Sequence, residues 1–432
     1  MATKMLFARV LAGAAAVMMG MGAVTPAKAA DAVTVTIDSF GDVILMSLVR
    51  EYQDAHPGVT IQVKKNNLAD LNGTGLTTGC LTGKTADITA IEVAYAGYWR
   101  TKPQCFTDLR TLKTTDGKKS ATEIKADYLS WRWSQGVATN KLVFGIPTDV
   151  GGLQVAYRTD LFKKAGLPTD RVKVGKLWAT WDGYIATGKK YMKTISAANK
   201  KKNVAFMDNA GAIYAAVVNQ GTQKYYDEAG NLVYKQNKQV KKAFDETIKG
   251  LNANIGSKIG QFTSGWYTGL GTGTFATILA PAWMMEYIKS YAGATKGKWD
   301  IAAMPGGGGN QGGSLLTIPA AAKNKQAAWD FLQWYLAPDQ QEKVFTRFGL
   351  FPSTPALYKK SSIKDFKDPF FSNAPVGAIY ATGVQKLKPI PLGPKDQAID
   401  NVIGAALSRV ANKKQSAAKA WAQAMTEAAK IK

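Results

Sequence analysis

Short runs of β-branched and apolar residues alternate with amphipathic stretches near the start of the chain. Residues 33–37 (VTVTI), 59–63 (VTIQV) and 86–91 (ADITAI) have the composition of strands. Residues 43–52 carry apolar side chains at helical spacing, and the HPG sequence at 56–58 ends that helix. A strand, a helix and a strand within about 30 residues form a βαβ unit. The pattern therefore predicts an α/β layered fold.

The same kinds of pattern continue along the rest of the chain. Further strands are predicted at residues 141–147, 152–157 and 275–279. Further helices are predicted after the N-cap Thr180, at 326–336, from 337 onwards and over 398–432. The segment 305–313 (PGGGGNQGG) contains six glycines in nine residues, so it cannot form regular structure.

The first 29 residues are typical of an export signal. Two basic residues precede a short apolar run at 10–24, and the AKA sequence at 27–29 fits the small-x-small cleavage rule. We expect a signal peptide over residues 1–29 and a mature chain from Ala30. A retained membrane anchor is the alternative, but the run is short for a bilayer. No cysteine stands at the cleavage site. The expected location is the periplasm or the extracellular side of the cell envelope, without a lipid anchor.

Charge is the unusual feature of the composition. Of 432 residues, 46% are hydrophobic, which excludes a largely disordered chain. The 55 Lys and Arg against 31 Asp and Glu give a net charge of +24. The expected mature chain loses two lysines and one arginine, which leaves +21. Such a surface attracts polyanions, but the lysines are scattered and no nucleic-acid-binding motif is present, so we do not expect nucleic acid as a partner.

Few residues suited to catalysis or metal binding are present. The single histidine, His56, and two cysteines exclude a zinc site rich in these residues, and no pair of carboxylates is singled out by a motif. We therefore expect no enzyme activity, no metal and no cofactor. In an exported chain an even cysteine count favours a disulfide between Cys80 and Cys105; two buried thiols are the alternative.

Aromatic residues are numerous, with 11 Trp, 17 Tyr and 16 Phe. A sugar ring stacks its apolar face on an aromatic side chain, and its hydroxyls need Asp, Glu, Asn or Gln partners. Aromatic side chains also dominate cores, so core packing is the alternative for each of them. Several lie in polar or glycine-rich stretches: Phe40, Tyr95, Trp99, Trp266, Tyr267 and Trp283.

Eight ordered motifs give the chain a family resemblance. They are EYQDAHPGVTIQV, KTADITAIE, CFTDL, FGIPTDVGGLQVAYRTDLFKKAGLP with TWDGY, FATILAPAWMMEYI, KWDIAAMPGGGGNQGGSLLTIP, AAWDFLQWYLAPDQQEKVF and GLFPS. Over nearly the whole mature chain the sequence resembles the extracellular solute-binding proteins (family 1) of carbohydrate ABC importers, the group that includes maltose-binding protein. The spacing is closest to the branch that binds cello- and xylo-oligosaccharides.

The resemblance implies a two-lobed, periplasmic-binding-protein-like α/β fold. The lobes would be joined by hinge crossings near Asp149, Leu315-Leu316 and Pro352, and a carbohydrate would be trapped in the cleft between them. The closed monomer would dock on ABC transporter permease subunits and touch the membrane complex only peripherally, and it would catalyse nothing. The implied lobe one covers residues 30–149 plus 316–352, and lobe two covers 150–315 plus 353–432.

The resemblance also implies ligand-binding residues. Trp283, in APAW, matches a cleft tryptophan that stacks on sugar, and Asp149, in PTDVG, matches an acid that accepts hydroxyl hydrogens. The other candidates are Phe40 after the first strand, Glu92 and Tyr95 after the third, Tyr214 and Asn219 in AGAIYAAVVNQ, Trp266 upstream of FATIL, and Gln311 in the glycine-rich segment.

The chain also departs from its relatives. Many relatives carry a lipid-anchoring cysteine, and many have Trp where this chain has Gln311 and Gly-Pro where it has Gly151-Gly152. The favoured function is a receptor for an uncharged sugar or oligosaccharide. The alternatives are a receptor for an anionic, uronate-type ligand or a charge-driven surface adhesin, both of which predict binding that weakens with salt. A secreted glycosidase is a third and weaker possibility.

Overall fold

In the computed structural model, which describes residues 32–117 and 119–431, nine β-strands form two separate sheets. The predicted signal peptide lies outside these residues. In chain order the strands are Val33–Ser39 (β1), Val59–Lys65 (β2), Ile88–Glu92 (β3), Gly145–Pro147 (β4), Leu153–Arg158 (β5), Ala205–Met207 (β6), Phe275–Pro281 (β7), Trp299–Ala302 (β8) and Ser314–Thr317 (β9).

The first sheet has the order β2-β1-β3-β9-β4. β1 pairs in parallel with β2 and β3, and the helix Met46–Ala55 connects β1 to β2, so the predicted βαβ unit is confirmed. In β1, Val35 and Ile37 point into the core on alternate positions. β9 lies antiparallel between β3 and β4.

The predicted strand at 141–147 is shorter in the structure. Only Gly145–Pro147 pairs with the sheet, as β4. Lys141 has a left-handed backbone with φ of +71°, which turns the chain, and Val143 forms a bridge with Val137 instead. The prediction was therefore wrong for residues 141–144.

The second sheet has the order β6-β7-β5-β8, with β5 antiparallel to both β7 and β8. Every residue of β5 and of β7 is buried. Continuous burial requires cover on both faces, which explains why these strands are mostly apolar instead of alternating. Their buried polar residues are Gln154, Arg158 and Thr277. The two lobes, one around each sheet, confirm the predicted fold class.

The chain passes between the two sheets three times. It leaves the first sheet after β4 and enters the second at β5, and it returns between β8 and β9. After the helix Pro338–Phe348 it crosses once more, because Phe351 packs in the core of the second lobe. The predicted lobe bounds at 149/150, 315/316 and 352/353 stay a prediction.

Helices surround both sheets. Thr180 caps its helix as predicted, since its Oγ1 accepts a hydrogen bond from the backbone N of Gly183 (3.1 Å). The predicted helix at 398–432 is two helices, because Lys413 between them has a left-handed backbone (φ +57°). The α-helices are Met46–Ala55, Leu68–Asp70, Leu76–Thr82, Val93–Trp99, Ala121–Ile124, Ser130–Gln135, Thr159–Lys164, Arg171–Leu177, Trp181–Lys193, Ala197–Lys201, Ala212–Val218, Lys238–Asn252, Ser264–Thr272, Met284–Tyr291, Lys325–Tyr335, Pro338–Phe348, Ser361–Lys364, Val376–Gln385, Asp396–Ala411 and Ala417–Ala429. No helix within residues 32–117 or 119–431 has the length and apolar composition to cross a membrane.

The predicted disulfide is confirmed. Cys80, in the helix Leu76–Thr82, is bonded to Cys105, in the 3₁₀ turn Pro103–Cys105, with the two Cα atoms 5.1 Å apart. Both cysteines belong to a cluster on the first lobe that includes Ile91 and Trp99.

Removing the disulfide is expected to lower the stability of the protein. The bond closes a loop whose ends are 25 residues apart, so the chain-entropy argument gives a loss of about 3–4 kcal/mol. A reducing agent should lower the melting temperature in calorimetry by roughly 4–5 °C. The variant carrying Cys80→Ser and Cys105→Ser serves as the control, because it should melt at the reduced temperature with or without reductant. Equal melting temperatures for all four samples would contradict the prediction.

Candidate functional site

A cavity of about 1120 Å³ lies between the two lobes. Its walls come from both lobes and from the glycine-rich segment that returns from the second sheet to the first. The polar and aromatic side chains that line it include Glu92, Trp131 and Gln135 on the first lobe, Asn209, Tyr214, Asn219, Lys224, Asp396 and Asp400 on the second, and Asn310 and Gln311 on the glycine-rich segment.

The wall on the first lobe starts where β3 ends. Glu92 is the last residue of β3 and caps the helix Val93–Trp99, because its Oε2 accepts a hydrogen bond from Ala94 N (2.7 Å). Its own backbone N donates to the Oδ1 of Asn72 (2.7 Å). The carboxylate is thereby fixed at the carboxyl end of a central strand, the end at which ligands bind in α/β sheets.

Trp131 and Gln135 complete this wall from the helix Ser130–Gln135. Gln135 is buried and accepts a hydrogen bond from the Nη1 of Arg132. Trp131 is half-buried and packs partly against the core of the second lobe. One helix of the first lobe thus supplies both an amide and an aromatic ring to the cavity.

Burial raises the pKa of Glu92 to about 7, from an ordinary value of 4.5. Desolvation is the largest cause. The hydrogen bond from Ala94 N and the charges of Lys224 and Arg132 lower the pKa in part, and the negative charge of Asp149 raises it further. Near neutral pH the cavity therefore holds a carboxyl that is only partly ionised.

The wall on the second lobe is a chain of hydrogen bonds. Lys224 forms an ion pair with Asp400, and the hydroxyl of Tyr225 donates to the Oδ1 of Asp400 (2.6 Å). The hydroxyls of Tyr214 and Tyr225 are 2.8 Å apart and hydrogen bonded. Each group fixes its neighbour, so Lys224 and Tyr214 have defined positions at the cavity surface.

The glycine-rich segment forms the floor of the cavity. Gln311 N donates to the carbonyl of Gly151 (2.8 Å), and a Cβ atom on Gly151 would overlap the Gln311 carbonyl oxygen. Gly312 and Gly313 have φ values of +81° and +101°, which L side chains rarely adopt. The predicted absence of regular structure at 305–313 is confirmed, and a glycine at 151 is required by this close approach.

Four of the predicted ligand contacts line the cavity: Glu92, Tyr214, Asn219 and Gln311. Trp283 lies directly behind the floor, where its Nε1 donates to the Gln311 carbonyl (3.0 Å). It packs against the cores of both lobes.

The remaining candidates are placed differently. Asp149 is buried, and its Oδ1 accepts hydrogen bonds from the hydroxyl of Thr148 (2.6 Å) and from Ser314 N (3.2 Å). Trp266 is fully buried, with its Nε1 donating to Asp208 (2.9 Å). Their roles as ligand contacts stay predictions. Outside the lining, Phe40 packs against the first-lobe core and Tyr95 against the cluster of the disulfide.

Sequence patterns did not reveal the other seven polar and aromatic lining residues described above: Trp131, Gln135, Asn209, Lys224, Asn310, Asp396 and Asp400. Trp131 and Gln135 lie in the short stretch SWRWSQ, which has no motif. Lys224 and Asp400 are 176 positions apart, and only the tertiary fold pairs them. The one usable signal was the Trp131-Arg132-Trp133 cluster in a polar context.

This arrangement suits a ligand rich in hydroxyl groups. The lining combines amides, carboxyl groups and ammonium groups with aromatic rings, so it offers donors, acceptors and flat apolar surfaces together. In the part of the chain that the structure describes, no group of three or more His, Cys, Asp or Glu side chains is placed to hold a metal ion.

Comparison with known proteins gives a consistent result. The family model of bacterial extracellular solute-binding proteins matches residues 47–371. A lactose-binding protein of Rhizobium radiobacter is 26% identical over 385 residues, which cover 85% of each chain. A crystal structure of an extracellular solute-binding protein of family 1 is 35% identical with a TM-score of 0.77, covering 92% of this chain and 99% of that one.

A third comparison shows the fold alone. An ABC transporter associated binding protein from B. animalis subsp. lactis, solved in complex with β-1,6-galactobiose, has a TM-score of 0.76 at 20% identity. The match covers 91% of this chain and 96% of that chain.

Replacing Glu92 with Gln is expected to raise the melting temperature at pH 8 and to leave it unchanged at pH 4. Because the pKa of Glu92 is raised to about 7, the folded protein keeps a proton that the unfolded chain loses. This contribution to stability is therefore lost as pH rises from about 4.5 to about 7. Glutamine has no charge to desolvate and still accepts from Ala94 N. The expected gain at pH 8 is roughly 2–6 °C in scanning calorimetry. A variant that melts at or below the wild-type temperature at pH 8 would contradict this account of Glu92.

Proposed function

The chain belongs to the bacterial extracellular solute-binding proteins, and from this premise we propose that it captures a sugar or oligosaccharide between its lobes and delivers it to an ABC transporter permease. The observation that carries the proposal is the cavity at the lobe junction, lined by amides, carboxylates and aromatic rings. The lactose-binding relative supports the same ligand class.

The chemistry of each wall supports a saccharide. Trp131 and Tyr214 line the cavity from opposite lobes, and aromatic rings suit the apolar faces of a pyranose. Gln135 and Asn219 offer both donors and acceptors to hydroxyl groups. Because these groups come from both lobes, a ligand that contacts all of them holds the lobes together.

An uncharged ligand fits the cavity better than an anionic one. The ammonium of Lys224 is already paired with Asp400, and the carboxyl groups of Glu92 and Asp396 line the same cavity. The other lysines of the lining, Lys258, Lys388 and Lys413, are exposed at its rim. An anionic sugar held inside the cavity would therefore lie next to carboxyl groups, and these lysines lie only at the rim.

The lobe bounds belong to the same proposal. We place lobe one at residues 30–149 plus 316–352 and lobe two at 150–315 plus 353–432, except that Ser314 and Leu315, the start of β9, pair within the first sheet and so belong with lobe one. Three backbone contacts where the chain crosses support this division: Asp149 bridges Pro352, Gly152 bridges Asn310, and Val150 N donates to the Phe351 carbonyl (2.8 Å). The chain would act as an exported monomer without catalytic activity. The narrower match to the branch that binds cello- and xylo-oligosaccharides stays a prediction.

The direct test is isothermal titration of the mature protein with neutral and acidic di- to tetrasaccharides at low and moderate salt. Binding of a neutral sugar with a Kd that salt leaves unchanged is the expected result. Binding restricted to acidic saccharides and weakened by salt would favour an anionic ligand. Product formation by the pure protein would contradict the binding-protein account.

Trp131→Ala is expected to weaken saccharide binding about 10- to 100-fold, because it removes a stacking surface from the first-lobe wall. Titration with the sugar that the wild type binds measures this loss. The matched control is Trp334→Ala, since Trp334 is also half-buried in the first lobe but packs in its core beside Tyr52. Similar affinities for the Trp131 variant and the wild type would remove Trp131 from the site.

A further inference from the structure

A proline-rich segment of the second lobe reaches across the cleft to the first lobe. Residues 388–394 (KPIPLGP) connect the helices Val376–Gln385 and Asp396–Ala411, and we call this segment the strap. Its three prolines restrict the backbone, so it loses little conformational entropy when it docks.

Leu392 anchors the strap on the first lobe. It is half-buried and packs against the first-lobe cluster that contains Ile91, Ala96 and Trp99. The helix Asp396–Ala411 that follows the strap lies against the helix Val93–Trp99. The strap is thus part of the contact between the lobes, although its chain belongs to the second lobe.

Gly97 allows the backbones of the two lobes to touch. It lies inside the helix Val93–Trp99, and a Cβ atom placed on it would overlap the carbonyl oxygen of Gly393 and lie 2.8 Å from its backbone N. On the opposite side, a Cβ atom on Gly393 would overlap the ring of Tyr226. Gly393 is therefore enclosed between a helix of one lobe and an aromatic ring of the other.

The second lobe fixes the shape of the strap. The Oδ2 of Asp396 accepts a hydrogen bond from Gly393 N (2.9 Å), and Lys395 N donates to the hydroxyl of Tyr226 (3.3 Å). Because these contacts lie within one lobe, the strap moves with that lobe. The strap contacts the backbone of the other lobe at Gly97.

The strap separates two cavities. Ile390 and Leu392 line the cavity between the lobes described above. Pro391, Gly393 and Pro394 line a second cavity of about 1010 Å³, which Gly97 also borders. Removing the strap from the first lobe would join the two spaces and open the binding cavity at this end.

We propose that the strap closes one end of the ligand cavity by docking on the first lobe through Leu392 and Gly393, and that Gly97 is the positioning residue that permits this docking. The proposal rests on the proposed function only for the identity of the ligand. Gly97 does not line the binding cavity, so any effect on affinity acts through the position of the strap.

The test compares Gly97→Ala with the control Gly73→Ala, because a Cβ atom on Gly73 meets no atom within 4 Å. Alanine favours helix over glycine, so the Gly97 variant should keep its fold, which circular dichroism checks. Small-angle scattering without ligand should give a larger radius of gyration for Gly97→Ala than for the wild type. Its affinity for the saccharide that the wild type binds should fall about tenfold or more. Gly73→Ala should match the wild type in both measurements.

A second variant, Leu392→Ala, removes the anchor without adding bulk and should weaken binding in the same direction. If both strap variants keep the wild-type affinity, or if Gly97→Ala keeps the wild-type radius, the proposal is overturned. If the wild type binds none of the saccharides, the radius of gyration of Gly97→Ala alone tests the proposal. A larger radius for Gly97→Ala then supports the strap while the proposed function fails.

Discussion

The arrangement of the two lobes depends on the interactions of the buried Arg132 guanidinium. It is fully buried, its Nη2 donates to the carbonyl of Ser314 (2.8 Å), and its charge attracts the buried carboxylate of Asp149. Asp149 in turn accepts from Ser314 N, so one acid and one base fix two of the three chain crossings. The third crossing joins them where Ser353 donates to the carbonyl of Pro147 (3.3 Å).

The same network reaches the cavity. Arg132 also donates to Gln135, which lines the first-lobe wall, and its positive charge lowers the pKa of Glu92. The side chains that bind the crossings together therefore also set the position and charge of groups facing the ligand. This coupling accounts for the placement of Asp149. It lies beside the site, but its Oδ1 already accepts hydrogen bonds from Thr148 and Ser314 N at the chain crossings.

Sequence patterns predicted the parts of the fold that local chemistry determines. β1, its helix and β2 follow from β-branched runs and a helix stop, and the glycine-rich segment follows from its composition. β9 was not predicted, because four residues after a glycine run carry too little pattern, although their insertion between β3 and β4 completes the first sheet. In the candidate site, Glu92 was predicted from the family resemblance, which implies a ligand-binding acid after the third strand. The burial of Trp266 and the pairing of Lys224 with Asp400 could not be predicted, because both depend on how distant segments pack.

The proposed function requires that groups from both walls hold a saccharide between the lobes. A crystal structure of the protein grown with the saccharide that it binds would test this arrangement. We expect a sugar in the cavity, in contact with Trp131 or Gln135 on one side and with Tyr214 or Asn219 on the other. A sugar bound outside the cavity, or touching one lobe alone while the cavity holds only solvent, would contradict it.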